Sequence, residues 1–179
     1  MTLFRYRLPR CLPIAVTAIS LLSFNLAAQA QLRDADPDAP PWQEASVTPP
    51  PKFSTDQLQA FEVAVGAALS YGIDPKTLSV GEDGVVRYVM VARSSSGALN
   101  VLYQGVRCQT GEVKTYARWN NNAASWNVSA KEEWHPLSFA GFTRPAMILA
   151  RQGICEGRTV NGNPQKILQT LKNGRPDTR

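Results

Sequence analysis

The feature of the sequence that most constrains the fold is a predicted β-hairpin between residues 85 and 108. Residues 85–93 read VVRYVMVAR, residues 98–108 read ALNVLYQGVRC, and Ser94-Ser95-Ser96-Gly97 stands between them. Valine and tyrosine favour strands, while serine and glycine favour a turn. A loop made of those four turn residues would pair Arg93 with Ala98.

This register predicts one face that is apolar throughout. It groups eight residues there, with Tyr88 opposite Tyr103: Val86, Tyr88, Met90, Ala92, Leu99, Val101, Tyr103 and Gly105. A slip of one residue would mix the two faces, so the alternation favours this pairing. The second face then carries valines, Leu102 and Cys108 among the polar residues Arg87, Asn100 and Gln104.

The first thirty residues have the pattern of a secretory signal. Three arginines precede an uncharged apolar stretch, and Ala28-Gln29-Ala30 has the small-x-small form of a cleavage site. A retained membrane anchor is the alternative, but polar residues interrupt the stretch, and a span needs about 20 mostly apolar residues. We therefore expect cleavage near Ala30, a location outside the cytoplasm, and no stable membrane insertion afterwards.

Loss of the signal leaves a nearly neutral protein. The chain has 19 basic and 14 acidic residues, and the signal contains three of the basic ones and no acidic one, which leaves 16 against 14. Lysine and arginine never form a run longer than a pair. The continuous basic stripe that nucleic acids require is therefore missing, and we do not expect a nucleic-acid partner.

Export also determines how the cysteines are interpreted. Cys11 leaves with the signal, so Cys108 and Cys155 are the two that remain. Thiols in an oxidising compartment pair, which predicts a Cys108–Cys155 disulfide; the alternative is two buried free thiols. Oxidised sulfurs neither bind a metal nor attack a substrate.

Three segments are predicted along the chain: the signal at 1–30, a proline-rich disordered tether at 31–51, and one domain at 52–179. The domain is predicted to be α+β and β-rich, a twisted antiparallel sheet around the central hairpin with one or two C-terminal helices packed on it. A first helix is expected over Pro145–Gln152, ended by Gly153, and a second after Asn163 and Pro164. Phe61 to Leu69 is ambiguous between strand and helix.

The chain also resembles a known family. The resemblance rests on the run LSVGEDGVVRY at 78–88, on Arg93-Ser94, Ser96-Gly97-Ala98, Asn100-Val101 and Tyr103, and on GVRC at 105–108. These residues resemble the CNP1-like family of exported bacterial proteins, which tends to have a glutamate where this chain has Gln104. The resemblance implies a Gram-negative periplasmic location, and it brings no catalytic residue because the family has none assigned.

Residues that could carry catalysis are sparse. His135 is the one histidine, and a single imidazole makes a poor metal site. Glu132 and Glu133 are adjacent, so they diverge in a strand or a helix and do not face one substrate. We expect no metal and no cofactor. The leading hypothesis is a non-enzymatic binding module. Its alternatives are an enzyme with an unorthodox site that includes His135 and a purely structural envelope protein.

The candidate binding surface is the polar part of the second hairpin face. Arginine forks bind carboxylates and phosphates, so this surface could take an anionic group of an envelope protein or glycan. Pairing of Arg87 with a structural acid such as Asp83 or Glu112 is the simpler explanation. The surface comprises Arg87, Arg93, Asn100, Tyr103, Gln104 and Arg107.

The export hypothesis predicts a defined new N-terminus. Protein isolated from the periplasmic fraction should begin at about Gln31, because cleavage follows the small-x-small site. Intact-mass spectrometry and thiol titration check this together. Retention of Met1 with two titratable sulfhydryls would contradict both the export and the disulfide predictions.

Overall fold

The computed structural model describes residues 40–47, 49–128 and 132–174 of the chain. The predicted signal and residues 31–39 and 48 of the predicted tether lie outside these residues. The strands, in chain order, are β1 Gln59–Phe61, β2 Leu69–Ile73, β3 Ser79–Val80, β4 Val85–Ser94, β5 Leu99–Arg107, β6 Glu112–Asn120, β7 Ser125–Val128, β8 His135–Pro136, β9 Cys155–Glu156 and β10 Thr159–Val160. The helices are α1 Arg144–Leu149 and α2 Pro164–Asn173, with a π-helical turn at Ala150–Ile154 and 3₁₀ turns at Pro75–Thr77 and Gly141–Thr143.

Eight of the described strands form one antiparallel sheet in the order β1-β2-β4-β5-β6-β7, with β3 beside β4 and β8 beside β6. The two longest strands, β4 and β5, are its central pair. Helices α1 and α2 follow the large sheet in the chain and pack on it. This arrangement confirms the predicted α+β, β-rich class with a central hairpin and C-terminal helices.

The predicted register of the hairpin is wrong by one residue. Arg93 pairs with Leu99 rather than Ala98, and Tyr88 lies opposite Gln104 rather than Tyr103. The loop contains three residues, because the N–H of Gly97 bonds the carbonyl of Ser94 and Ser94 still belongs to the ladder. Gly97 has a φ of 85°, the left-handed conformation that closes a type I turn with a bulge.

The corrected register gives the sheet two apolar faces instead of one apolar and one mixed face. The face that the helices cover, here called the helix face, carries Val86, Tyr88, Met90, Leu102 and Val106. The opposite face, here called the strap face, carries Val89, Val91, Val101, Tyr103 and Ala117. A sheet that is apolar on both sides needs a cover on each.

The cover of the helix face is linked covalently to the sheet. Cys108, just after β5, is bonded to Cys155, with 5.6 Å between the Cα atoms, which confirms the predicted pairing. The link places the segment before Cys155 on the face of Val106 and Leu102. The helix of this segment ends differently from the prediction, because the chain continues through Gly153 as a π turn, where Leu171 of α2 approaches closely.

The strap face is covered by residues 41–58, here called the strap, of which residue 48 is not described. Phe53 and Leu58 pack on its apolar cluster. The carbonyl of Pro51 accepts a hydrogen bond from the indole of Trp126. The described part of the segment predicted as a disordered tether is therefore folded onto the sheet, and residues 31–39 and 48 of that segment stay outside the description.

The predicted second helix is confirmed, since the side chain of Asn163 caps α2, which is followed by Gly174. Gly81–Gly84 connects β3 to β4, and residues 121–124 connect β6 to β7. The ambiguous segment at 61–69 is neither helix nor one strand, because it forms an irregular loop between β1 and β2. No helix among the described residues is long and apolar enough to cross a membrane.

The disulfide should contribute strongly to stability. The two cysteines are 47 residues apart in sequence. Closing a loop of that size stabilises a fold by about 4 kcal/mol in the chain-entropy description. Replacing both residues, Cys108→Ala and Cys155→Ala, should lower the free energy of unfolding in urea by about that amount. The wild type with and without reductant serves if the variant does not fold, and an unchanged urea midpoint in both comparisons would contradict the prediction.

Candidate functional site

The six residues of the predicted binding surface do not share one face. Arg87, Arg93, Tyr103 and Arg107 belong to the strap face or its margin, whereas Asn100 and Gln104 belong to the helix face. The one-residue change in register separates them, because neighbouring positions in a strand point to opposite sides. The two groups therefore have to be considered as separate sites.

Arg87 is buried in an ion-pair cluster. Its side chain is 8% exposed, and its two terminal nitrogens donate to the carboxylate of Asp83 at 3.1 and 2.7 Å. The Asp83 side chain is 2% exposed and also accepts from the backbone N–H of Val85. This bidentate pair engages both terminal nitrogens of the guanidinium, whereas its buried Nε has no hydrogen-bond partner among the described residues.

A second carboxylate of the cluster comes from the strap. Glu44 accepts from the ammonium of Lys114 at 2.9 Å and from the hydroxyl of Tyr116 at 2.7 Å, and it lies 3.7 Å from Arg87. Arg87, Lys114, Asp83, Glu44 and Tyr116 thus form one cluster of two cations, two anions and a phenol. The buried charges are compensated by groups on strands β4 and β6, on the turn before β4 and on the strap.

Trp42 fixes the strap beside this cluster. The guanidinium of Arg107 stacks over its ring at 3.7 Å, and its indole N–H donates to the carbonyl of Asp83. The backbone N–H of Ala45 donates to the Asp83 carboxylate as well. Arg87, Tyr103 and Arg107 therefore already contact other residues of the protein. The simpler explanation of Arg87, its pairing with a structural acid such as Asp83, is confirmed.

The cluster shifts the acidity of its members. Burial alone would raise the pKa of the Asp83 carboxyl, but the hydrogen bonds from Arg87, Ala45 and Val85 outweigh it, so that pKa lies below its usual value. Burial, followed by the hydrogen bond to Glu44, raises the pKa of the Tyr116 hydroxyl. Asp83 is thus held charged and Tyr116 neutral, which suits a structural clamp.

The helix face contains an open groove of about 570 Å³ where α1 leaves the sheet uncovered. Its floor includes Tyr71, Met90 and Leu102, and the turn into α1 forms one side with Phe142 and Arg144. The loop between β1 and β2 lines the groove as well. Its polar residues are Asn100, Gln104, Thr115, Arg118 and Arg144.

A β-bulge brings two of these polar residues to the groove. Tyr103 pairs with Ala117 but Gln104 pairs with Thr115, so Tyr116 is an extra residue in β6. The bulge allows Tyr116 and Ala117 to face the strap together, while Thr115 and Arg118 both face the groove. Strict alternation of side chains along a strand would place Thr115 and Arg118 on opposite faces. The sequence therefore did not predict that both residues line the groove.

The polar floor of the groove is fixed in place. Gln104 is 5% exposed, and its amide donates to the hydroxyl of Thr115 at 3.0 Å. The hydroxyl of Tyr88 lies 3.5 Å from the Gln104 carbonyl oxygen. A buried amide keeps a second N–H that is held in one orientation by these neighbours.

A larger cavity of about 880 Å³ adjoins the disulfide. Its polar side chains, which include Arg151 and Lys172, lie at exposed or half-buried positions, and the amide of Gln152 is committed to the carbonyl of Glu62. This cavity therefore lacks the fixed polar floor of the groove. His135 lines neither cavity, and its half-buried ring packs edge-on against Phe142 at 5.2 Å.

A comparison with family models identifies the family of the chain. The model of the CNP1-like family matches residues 37–172. The chain belongs to the CNP1-like family. The matched range includes the strap, the whole sheet and nearly all of α2. Searches of curated proteins and of solved structures gave no significant match.

The Asp83 carboxylate should make stability depend on acid. Its pKa is depressed in the folded protein, so its contribution is present above the unfolded value of about 4 and is lost as the pH falls through the lower folded value. Asp83→Asn should cost about 3 kcal/mol at pH 7, because it removes one partner of a buried pair. It should also flatten the fall in stability below about pH 4.

Urea unfolding at a series of pH values measures both effects. Glu82→Gln is the matched control, since Glu82 is an exposed acid in the same turn. If the free energy of unfolding of Asp83→Asn depends on pH in the same way as that of Glu82→Gln, the buried Asp83–Arg87 ion pair does not exist in solution.

Proposed function

We propose that this CNP1-like protein is exported to the periplasm and acts there as a non-enzymatic binding module. Its binding site is the open groove, and its ligand is an envelope component that carries an anionic group. The observation that supports this most is the combination of an apolar groove with a few converging, fixed polar groups, the usual composition of a ligand site. The volume of about 570 Å³ also lies in the usual range.

The groups that line the groove are suited to binding. The amides of Asn100 and Gln104, the hydroxyl of Thr115 and two guanidinium groups can all donate hydrogen bonds to a ligand. Guanidinium groups form strong, directional bonds to carboxylates and phosphates. The partner predicted from the sequence is an envelope protein or a glycan, and the groove could accept such an anionic group from any envelope component.

The proposed binding site is the groove and not the surface around Arg87 that was predicted from the sequence. Arg87 already holds Asp83 and lies near Glu44, so an external anion would have to displace them. In contrast, Arg118 is 53% exposed and Arg144 is exposed, and among the described residues Arg118 pairs with Glu132, at 3.6 Å. The free capacity for an anion therefore lies in the groove.

Co-sedimentation with purified peptidoglycan sacculi and with outer-membrane vesicles tests the proposal. The wild type should sediment with at least one fraction. The double variant Arg118→Ala, Arg144→Ala should lose at least tenfold in apparent affinity, because a hydrogen bond to a charged group contributes about 1.5 to 3 kcal/mol.

A matched control has the same change in net charge. Arg93→Ala with Arg158→Ala removes two exposed arginines that do not line the groove, and it should sediment like the wild type. Equal sedimentation of both double variants, with unchanged urea midpoints, would reject the groove as the binding site. Wild type that sediments with neither fraction would reject the proposed binding role.

A further inference from the structure

The groove changes in chemistry from one side to the other. At β2 it is lined by Leu69, Tyr71 and the small apolar residues Val63, Ala64, Ala67 and Ala68. Its middle, over β4 and β5, is formed by Met90, Ala92 and Leu102. At β6 it ends in Thr115 and Arg118, with Gln104 beside them. An apolar side thus faces a hydrogen-bonding, cationic side.

The strand spacing gives the scale of this gradient. From β2 to β6 the groove crosses three interstrand spacings, roughly 14 Å. The part from β2 to Leu102 of β5 offers methyl, methylene and aromatic groups over two of the three spacings. A sugar chain laid there would leave hydroxyl groups without partners, which is costly, whereas a hydrocarbon chain would gain from burial.

The polar side is suited to a compact anion. Arg118 provides a guanidinium group on the strand of Thr115, and the buried Gln104 amide and Thr115 hydroxyl are held between the two strands that end the groove. Arg144, at the start of α1, is the second guanidinium that lines the groove. Glu132 lies 3.6 Å from Arg118 and partly offsets its charge. Two cations against one acid leave the polar lining of the groove net positive.

The edges of the groove carry exposed apolar side chains. Phe142, on the turn into α1, lines the groove and is 73% exposed. Leu69 is 37% exposed at the apolar side. Exposed apolar groups at the edge of a pocket are typical of surfaces that meet apolar ligands.

We infer that the ligand of the groove is an anionic amphiphile, a molecule with an acyl chain and a carboxylate or phosphate headgroup. The acyl chain lies over β2 and β4, and the headgroup lies between Arg118, Arg144 and the Gln104–Thr115 pair. The inference rests on the proposed binding role of the groove and names the chemical class of its ligand.

Isothermal titration calorimetry with soluble single-chain probes below their micelle concentration tests this. The probes are laurate, lauroyl lysophosphatidylglycerol, dodecyl maltoside as a neutral head on a comparable chain, and glycerol phosphate as a head without a chain. At least one of the two anionic amphiphiles should bind saturably, at least tenfold more tightly than either control probe. The tighter of the two identifies a free fatty acid or a phospholipid as the source.

Variants assign the two ends of the ligand. Arg118→Ala with Arg144→Ala should weaken the anionic probes at least tenfold. Ala68→Trp should block the apolar side, while Ala123→Trp, on the exposed β6–β7 loop, is the matched control and should bind like the wild type. Affinity that is unchanged in both groove variants would overturn the inference.

Two results separate this inference from the proposed function. If sedimentation with sacculi or vesicles depends on Arg118 and Arg144 but neither anionic amphiphile binds, the groove binds another class of envelope ligand and only this inference fails. If dodecyl maltoside binds as tightly as the anionic probes, the assignment of the headgroup is wrong. If neither sedimentation nor calorimetry depends on the groove, both fail.

Discussion

Burial of Arg87 inside the sheet is the constraint on which the rest of the structure depends. A guanidinium that is 8% exposed requires carboxylates at fixed positions, and Asp83 and Glu44 supply them. Glu44 belongs to the strap, so the strap is held where its carboxylate completes the cluster. Trp42, stacked on Arg107, fixes it further. With the strap in place, Val101 and Tyr103 are buried and that face offers no open surface around them.

The disulfide has the corresponding role on the helix face, but the cover there is shorter. The Cys108–Cys155 bond holds the π turn and α1 over Val86, Tyr88 and Val106. Helix α1 begins only at Arg144, so the sheet beyond it stays uncovered. The groove is the part of a two-sided apolar sheet that neither cover reaches. Its floor therefore combines core residues such as Met90 with the exposed guanidinium of Arg118.

Local sequence signals predicted the elements better than their relations. The predictions of the hairpin, of the capped α2 and of the disulfide rested on alternation, on turn and capping residues, and on the predicted export. The register failed because Gly97 adopts a left-handed conformation that shortens the loop by one residue. The polar floor was missed because the Tyr116 bulge interrupts alternation, and the apolar pair Tyr116-Ala117 gives no sign of it. The strap was missed because its prolines suggested disorder, although Trp42 and Glu44 carry its contacts.

The central claim is that the strap seals one face of the sheet while the groove on the other remains open. Solvent paramagnetic relaxation by a soluble gadolinium chelate, read at assigned side-chain protons, measures this directly. The account predicts weak relaxation at Val101 and Tyr103, which are 1% and 3% exposed, and strong relaxation at Leu69 and Phe142, which are 37% and 73% exposed. Strong relaxation at Val101 and Tyr103 would show that the strap does not cover its face, and would contradict the account.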